Sequence, residues 1–287
     1  MADQTTGVGT GASHRAPSPL GPARLQEALT NLLIGARFLP VWLATAALFL
    51  VAAIIAPEAL QSTSWAFVLP YMTVLAVAAL GQMLVIMQGG IDLSIPGVMF
   101  LGGNLILGVS NQSDSRLALG ILACIGLGIL VGLANGLMVG ILRLNPLIVT
   151  LAVGQIVLAF GARYARGVSF ESAVPEALSS WALTKPLGIS WVFWLGVMLT
   201  LFVVLLLRYT PAGRRFQAVG ANPQAAWMSG IHVRTHVVCA YAAAGALYGV
   251  AAVLLASVRG SIDFAFGGAY LLAPIAAVVI AGASLGG

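Results

Sequence analysis

Eight apolar runs, almost free of charge, fill most of this 287-residue chain and decide which solvent it can fold in. They cover approximately residues 39–56, 65–88, 95–110, 117–142, 146–162, 190–208, 237–257 and 270–287. Their apolar character is continuous rather than alternating, and they are too long for barrel strands. Each is a candidate helix crossing hydrocarbon about 30 Å thick, with 95–110 and 146–162 short for that task. Only 7% of residues are charged, 60% are hydrophobic, and the mean hydropathy is +1.02. A soluble domain carries about 25% charged residues, so this chain cannot cover a water-facing surface. The expected fold is all-α: a polytopic transmembrane helical bundle of about eight spans. Pro70 lies inside a span and predicts a kink.

The net charge of +5 arises from basic residues in the short connections between spans, not from a basic face interleaved with aromatics. That distribution fits membrane topology and gives no sign of nucleic-acid binding. With the amino terminus in the cytoplasm and every run crossing once, the cytoplasmic side receives Arg15, Arg24, Arg37, Arg143, Arg208, Arg214, Arg215 and Arg234. The outer side receives Arg116, Arg163, Arg166, Lys185 and Arg259. This bias puts loop 209–236 in the cytoplasm and loop 163–189 outside. Residues 1–36, rich in Gly, Ser, Thr, Ala and Pro, are expected to form a disordered cytoplasmic tail ahead of a membrane domain over 37–287. The last apolar run reaches Gly287 without a polar tail, so a further C-terminal part is expected.

Several local patterns carry chemistry. Gly128, Gly132, Gly136 and Gly140 recur every four residues and form one bare helical stripe, suited to close backbone approach. Asn135 lies beside that stripe, where it can bond to a neighbouring helix. Gly89-Gly90-Ile91-Asp92-Leu93-Ser94-Ile95-Pro96-Gly97 interrupts two runs. Asp92 or Ser94 can cap the next helix, and Pro96 fits its first turn. A charged Asp92 facing lipid at mid-depth would cost about 2.5–3.5 kcal/mol or more. It therefore sits either at the cytoplasmic interface or in a polar cavity. A capped turn and a broken helix lining a solute path both satisfy that condition. Asn104 and Gln155, with Gln82 and Gln88, are further polar residues in or beside spans. Residues 213–236 form a polar, basic island whose length suits contact with something in the cytoplasm. His232 and His236 lack a third ligand at metal spacing, and Cys124 and Cys239 offer neither a metal pattern nor a basis for a disulfide. No P-loop appears, so the chain cannot itself hydrolyse ATP by that route, and no hydrolase or metalloprotease motif is present.

Three blocks resemble the permease subunits of bacterial ABC importers for ribose, xylose, arabinose and galactosides. The first is Gly89-Gly90-Ile91-Asp92-Leu93-Ser94. The second is Gly132-Leu-Ala-Asn135-Gly136 with Asn145-Pro146-Leu-Ile-Val-Thr150-Leu151. The third, the most specific, is Gly213-Arg214-Arg215 with Ala218-Val219-Gly220-Ala-Asn222-Pro223-x-Ala225-Ala226-x-x-x-Gly230-Ile231. The resemblance runs from about Leu69 to the end. It implies a non-enzymatic transport subunit of the bacterial inner membrane, with no cofactor of its own. ATP and Mg would be held by cytoplasmic ATPase subunits, the solute would arrive on a periplasmic sugar-binding protein, and a second permease copy or homologue would complete the pore. It also implies an ATPase-coupling segment comprising Gly220, Asn222, Pro223, Ala225, Ala226, Trp227 and Gly230. Trp227 or Met228 would anchor in the ATPase, and Asn222-Pro223 would start a short helix. Asp92, Ser94, Asn104, Asn135 and Gln155 are the candidate path residues. Where members often show Gly-Tyr-Glu-Leu-Asp-Ala-Ile-Ala-Ala, this chain has Ala269-Tyr270-Leu271-Leu272-Ala273-Pro274-Ile275-Ala276-Ala277, with both carboxylates absent. That departure leaves the sugar open. Branched-chain amino acids or nucleosides are alternative solutes. A proton-coupled transporter using Asp92, or an intramembrane enzyme, is the alternative class.

Overall fold

The computed structural model describes residues 39–168, 173–262 and 268–283. The expected tail, and residues 169–172 of the loop expected on the outer side, fall outside that range. The described residues hold helices and turns and no strand. Contacts divide the chain into two units, Met1–Leu48 and Phe49–Gly287. Helix α1 (Leu39–Ile55) begins in the first, and every later element and the site described below belong to the second.

The second unit continues with α2 (Ser62–Ile86), α3 (Ile95–Ser110), α4 (Asp114–Gly136), α5 (Pro146–Ala165), α6 (Glu176–Leu183) and α7 (Trp191–Tyr209). Then come α8 (Pro211–Ala221), α9 (Pro223–Met228), α10 (Val233–Arg259) and α11 (Ala273–Ile280). Five helices are long and apolar enough to cross a membrane: α2, α4 with its π-helical extension Leu137–Ile141, α5, α7 and α10. Two shorter apolar helices, within α1 and at α3, match the first and third runs. The run at 270–287 behaves differently. Pro274 sits in the first turn of α11, and Gly282 with φ of +98° follows its end, leaving eight residues of helix among the described residues of this run. Such a helix is about 12 Å long and does not cross by itself.

Large apolar side chains remain exposed along these helices, including Leu122 and Leu130 on α4, Phe160 on α5 and Phe202 on α7. Faces like these require lipid or another apolar partner. Some helix starts are capped by side chains, whereas Ser94 and Ser113, at the starts of α3 and α4, make no cap bond to their helices. Asn145 accepts from the Leu147 amide at 2.9 Å, and Ser190 from the Val192 amide at 3.1 Å. Asp114 accepts from the Ala177 amide at 3.0 Å, placing a carboxylate at the positive end of α6.

The glycine stripe on α4 packs against α10. A methyl at Gly128 would strike the Gly245 carbonyl, and one at Gly132 the Tyr241 carbonyl. At Gly136 it would lie 2.9 Å from the Val238 Cα, and at Gly140 3.1 Å from the Arg234 carbonyl oxygen. α10 answers with Gly249, where a methyl would lie 2.8 Å from the Ile125 Cα. A second close crossing joins α3 to α5. There Gly97 meets the Gly154 carbonyl oxygen at 2.6 Å from an added methyl, and Gly154 meets the Ser94 Cα at 2.9 Å. Both crossings bring the polar break at 89–94 against neighbouring helices.

Candidate functional site

The break between α2 and α3 follows from its sequence. Gly89 takes φ of +74°, a left-handed turn that side-chain-bearing residues disfavour, and ends the helical path. Gly90 leaves room for the Tyr241 hydroxyl, which an added methyl would strike. α3 then begins at Ile95 inside the bundle, with Ile95 to Phe100 all buried. Helix starts expose amide hydrogens, and Pro96 in the first turn has none to leave unpaired.

Asp92 is fully buried. Its Oδ1 accepts from the Ser94 amide at 2.8 Å and from the Ser94 hydroxyl at 2.6 Å. Asn135, from the glycine-striped helix α4, donates from Nδ2 to Ser94 Oγ at 3.0 Å and to Asp92 Oδ1 at 3.5 Å. Thr150 of α5 accepts from the Leu93 amide at 3.0 Å and donates to the carbonyls of Pro146 at 2.8 Å and Ile91 at 3.2 Å. With its amide turned to satisfy both ends, Gln82 of α2 brackets the Asp92 backbone. Its nitrogen donates to the Asp92 carbonyl at 3.1 Å, and its oxygen accepts from the Asp92 amide at 3.2 Å. The same nitrogen lies 3.1 Å from the Tyr248 hydroxyl of α10. Three helices, α2, α4 and α5, thus tie the break in place through polar contacts, and α10 joins through the Tyr248 hydroxyl beside Gln82. Three buried atoms around it, Asp92 Oδ2, Asn135 Oδ1 and the Tyr241 hydroxyl, have no hydrogen-bond partner. Buried polar atoms without partners are uncommon, and each of these three keeps unused hydrogen-bonding capacity.

The sequence-chosen path residues separate into two groups. Asp92, Ser94 and Asn135 come together. Asn104 is buried elsewhere on α3, donating to the carbonyls of Phe100 at 2.8 Å and Ile262 at 3.3 Å. Gln155 is exposed on α5 and does not join the cluster. Gln82, Tyr241 and Tyr248 were not among the chosen path residues, although Gln82 stands out as an amide within an apolar span. Two tyrosines in an apolar helix look like packing until a neighbour reveals where their hydroxyls lie. No group of three or more metal-type side chains occurs among the described residues.

The loop expected at 209–236 is a helical hairpin of α8 and α9. Thr210 caps α8, accepting from the Gly213 amide at 3.0 Å. Asn222 caps α9, accepting from the Ala225 amide at 2.9 Å, with Pro223 in the first turn. The end of α9 is a Schellman arrangement: the Gly230 amide donates to Trp227 O at 2.9 Å and the Ile231 amide to Ala226 O at 3.0 Å. Gly230, with φ of +80°, supplies the left-handed residue this ending needs. Ala225 faces outward and Ala226 inward. Trp227 and Met228 are 70% and 77% exposed, a large apolar surface on a short helix. Gly220 rests directly on the Met87 carbonyl at the end of α2, and Gln88 donates to the Phe216 carbonyl at 3.0 Å. The hairpin is therefore seated on the residues that open the polar break.

Comparison with known proteins places this architecture. A family described as branched-chain amino acid transport system / permease component matches residues 64–287, from the start of α2 through every element of the site. The chain belongs to this permease family. It is also similar to the protein called autoinducer 2 import system permease protein LsrD from Escherichia coli K12, Escherichia coli O9:H4 strain HS and Shigella flexneri. Each is 32% identical over 224 residues, covering 74% of this chain and 66% of the relative. The chain thus spans just under two thirds of the length of these relatives. No solved structure matches it.

Proposed function

We propose that this chain is the permease subunit of a bacterial ABC importer. It carries a small polar solute of the monosaccharide class across the inner membrane, with its amino terminus in the cytoplasm. Cytoplasmic ATPase subunits bind ATP and Mg, a periplasmic binding protein delivers the solute, and a second permease copy or homologue completes the path. The observation carrying this reading is the α8–α9 hairpin. It presents exposed Trp227 and Met228 on a doubly capped helix, and it is seated through Gly220 and Gln88 on the break holding Asp92. An apolar knob on a rigid short helix suits insertion into a groove of another protein. Family membership and the import named for the LsrD relatives support the direction of transport.

In this mechanism the ATPase moves α9. α8 follows, and the helices around 89–94 part and close in alternation. The atoms left unpartnered around Asp92 and Asn135 then bond hydroxyls of the passing solute. The test is uptake into proteoliposomes holding the permease with its ATPase and binding protein, using labelled ribose, xylose, galactose and leucine. ATP-dependent uptake of a sugar supports the reading, whereas leucine uptake alone reassigns the solute class. Uptake that needs no ATPase and collapses with the proton gradient overturns the mechanism.

A further inference from the structure

The hairpin and the polar break meet at one small seam. On the hairpin side are the Phe216 carbonyl and Gly220; on the other are Met87 and Gln88. Gln88 is the last residue before Gly89, whose left-handed φ of +74° turns the chain toward Asp92. Among the described residues, the Gln88 amide is the one side chain across this seam with a hydrogen bond to the hairpin, Nε2 to Phe216 O at 3.0 Å. Its acceptor is a main-chain carbonyl within α8, so the bond grips the helix itself and not a mobile side chain. Gly220 allows a close fit, because any methyl there would strike the Met87 carbonyl. Beyond Gly89 and Gly90 the chain is again held from several sides, by Gln82 on the Asp92 backbone, Thr150 on Leu93 and Asn135 on Ser94. Between the hairpin and the break, two glycines, the Gly220–Met87 contact and one side-chain bond form a direct connection, beside the contacts that α8 and α9 make with α10.

We infer that Gln88 is a positioning residue that carries displacement of the α8–α9 hairpin into the Asp92 break. The inference rests on the proposed coupling of the hairpin to an ATPase, and it adds where that movement enters the membrane domain. Sliding of α8 along its axis pulls the Gln88 amide through the Phe216 carbonyl, while the Gly220–Met87 contact sets the separation. Rotation is taken up at Gly89, where the backbone is least restricted. The strand of chain ending at Asp92 then shifts against Asn135 and Thr150. Without the amide donor, the hairpin still moves with its partner and the break no longer follows.

Hydrogen exchange read by mass spectrometry on the assembled permease–ATPase complex tests this, with and without ATP plus vanadate, and needs no identified solute. In the wild type, nucleotide alters exchange in both 213–228 and 88–94. Gln88→Met keeps the length and loses the donor. The response of 213–228 is expected to persist in that variant, while that of 88–94 shrinks about fivefold, the factor matching one neutral hydrogen bond. Gln88→Glu, which sets an acceptor against a carbonyl, behaves like Gln88→Met. Gln88→Lys, which restores a donor at similar reach, recovers the response. A Gln88→Met complex that transmits as fully as the wild type overturns the inference, and so does a Gln88→Lys complex that fails alongside it. A wild-type complex with no nucleotide response at 213–228 overturns the ATPase-coupled reading, and this inference with it.

Discussion

Gly126 and Gly132 lie on the same helix, α4, and alanine should act on them in opposite directions. In a helix interior alanine is favoured over glycine by about 1 kcal/mol. Nothing lies within 4 Å of the methyl that alanine adds at Gly126, so Gly126→Ala should keep that gain. At Gly132 the methyl would lie 2.9 Å from the Tyr241 carbonyl carbon and 3.0 Å from the Ala242 Cα, with the Tyr241 oxygen nearer still. All three are main-chain atoms that no rotamer change can move. Restoring ordinary separations of about 3.5–4.0 Å moves α4 and α10 apart by roughly 1 Å. That shift also loosens the neighbouring contacts at Gly128 and Gly136. Overpacking of this kind costs about 1–3 kcal/mol, more than the propensity gain. Gly132→Ala should therefore destabilise by a net of up to about 2 kcal/mol, where Gly126→Ala gains about 1 kcal/mol. Paired unfolding midpoints of the purified variants in one detergent give the comparison. A Gly132→Ala protein as stable as Gly126→Ala would refute close backbone packing between α4 and α10.

Trp227→Ala removes an exposed side chain, so the unfolding midpoint should hold. Retention of the ATPase subunit in a pull-down should drop by tenfold or more, as for an interface anchor worth about 2 kcal/mol. Asn222→Ala removes the cap on α9 and should cost that helix about 1 kcal/mol, seen as faster amide exchange at Ala225 and Ala226 in the isolated permease. Asp92→Asn keeps an oxygen for the Ser94 amide and hydroxyl, whereas Asp92→Leu strands both donors at about 1–3 kcal/mol each. Unfolding should therefore separate Asp92→Leu from the wild type by several kcal/mol and leave Asp92→Asn near it.

The helical bundle was readable because lipid removes alternatives: long uncharged runs can satisfy their backbone only as helices. The glycine stripe was readable for a related reason, since a four-residue repeat on a helix has one geometric meaning. The polar cluster was readable in part. Asp92 and Ser94 are near neighbours, and Asn135 adjoins a stripe that had to face another helix. Asn104 lies about ten residues, or roughly 15 Å, along α3 from Ser94, too far to share its bonds. Gln155 lies one residue past Gly154, about 100° around the helix from the face that meets Ser94. The buried positions Thr150, Gly154, Val157 and Gly161 trace that face and contain the warning. On α9, composition alone could not tell Ala225 from Ala226, because side-chain direction on a six-residue helix is set by how it docks. The last apolar run looked long enough to cross, yet Pro274 gave a helix start well inside it. The seam at Gln88 had no signature beyond a lone amide, since its acceptor is a main-chain carbonyl and any residue at Phe216 would provide one.

The interlocked glycines of α4 and α10 have a mechanical consequence. Two helices meeting backbone to backbone at Gly128 and Gly132, with Gly136 and Gly140 nearly as close, have little side-chain layer to shear between them. They behave as a single splint. Any rearrangement that opens the bundle first to one side and then to the other has to find its sliding planes among the remaining helices.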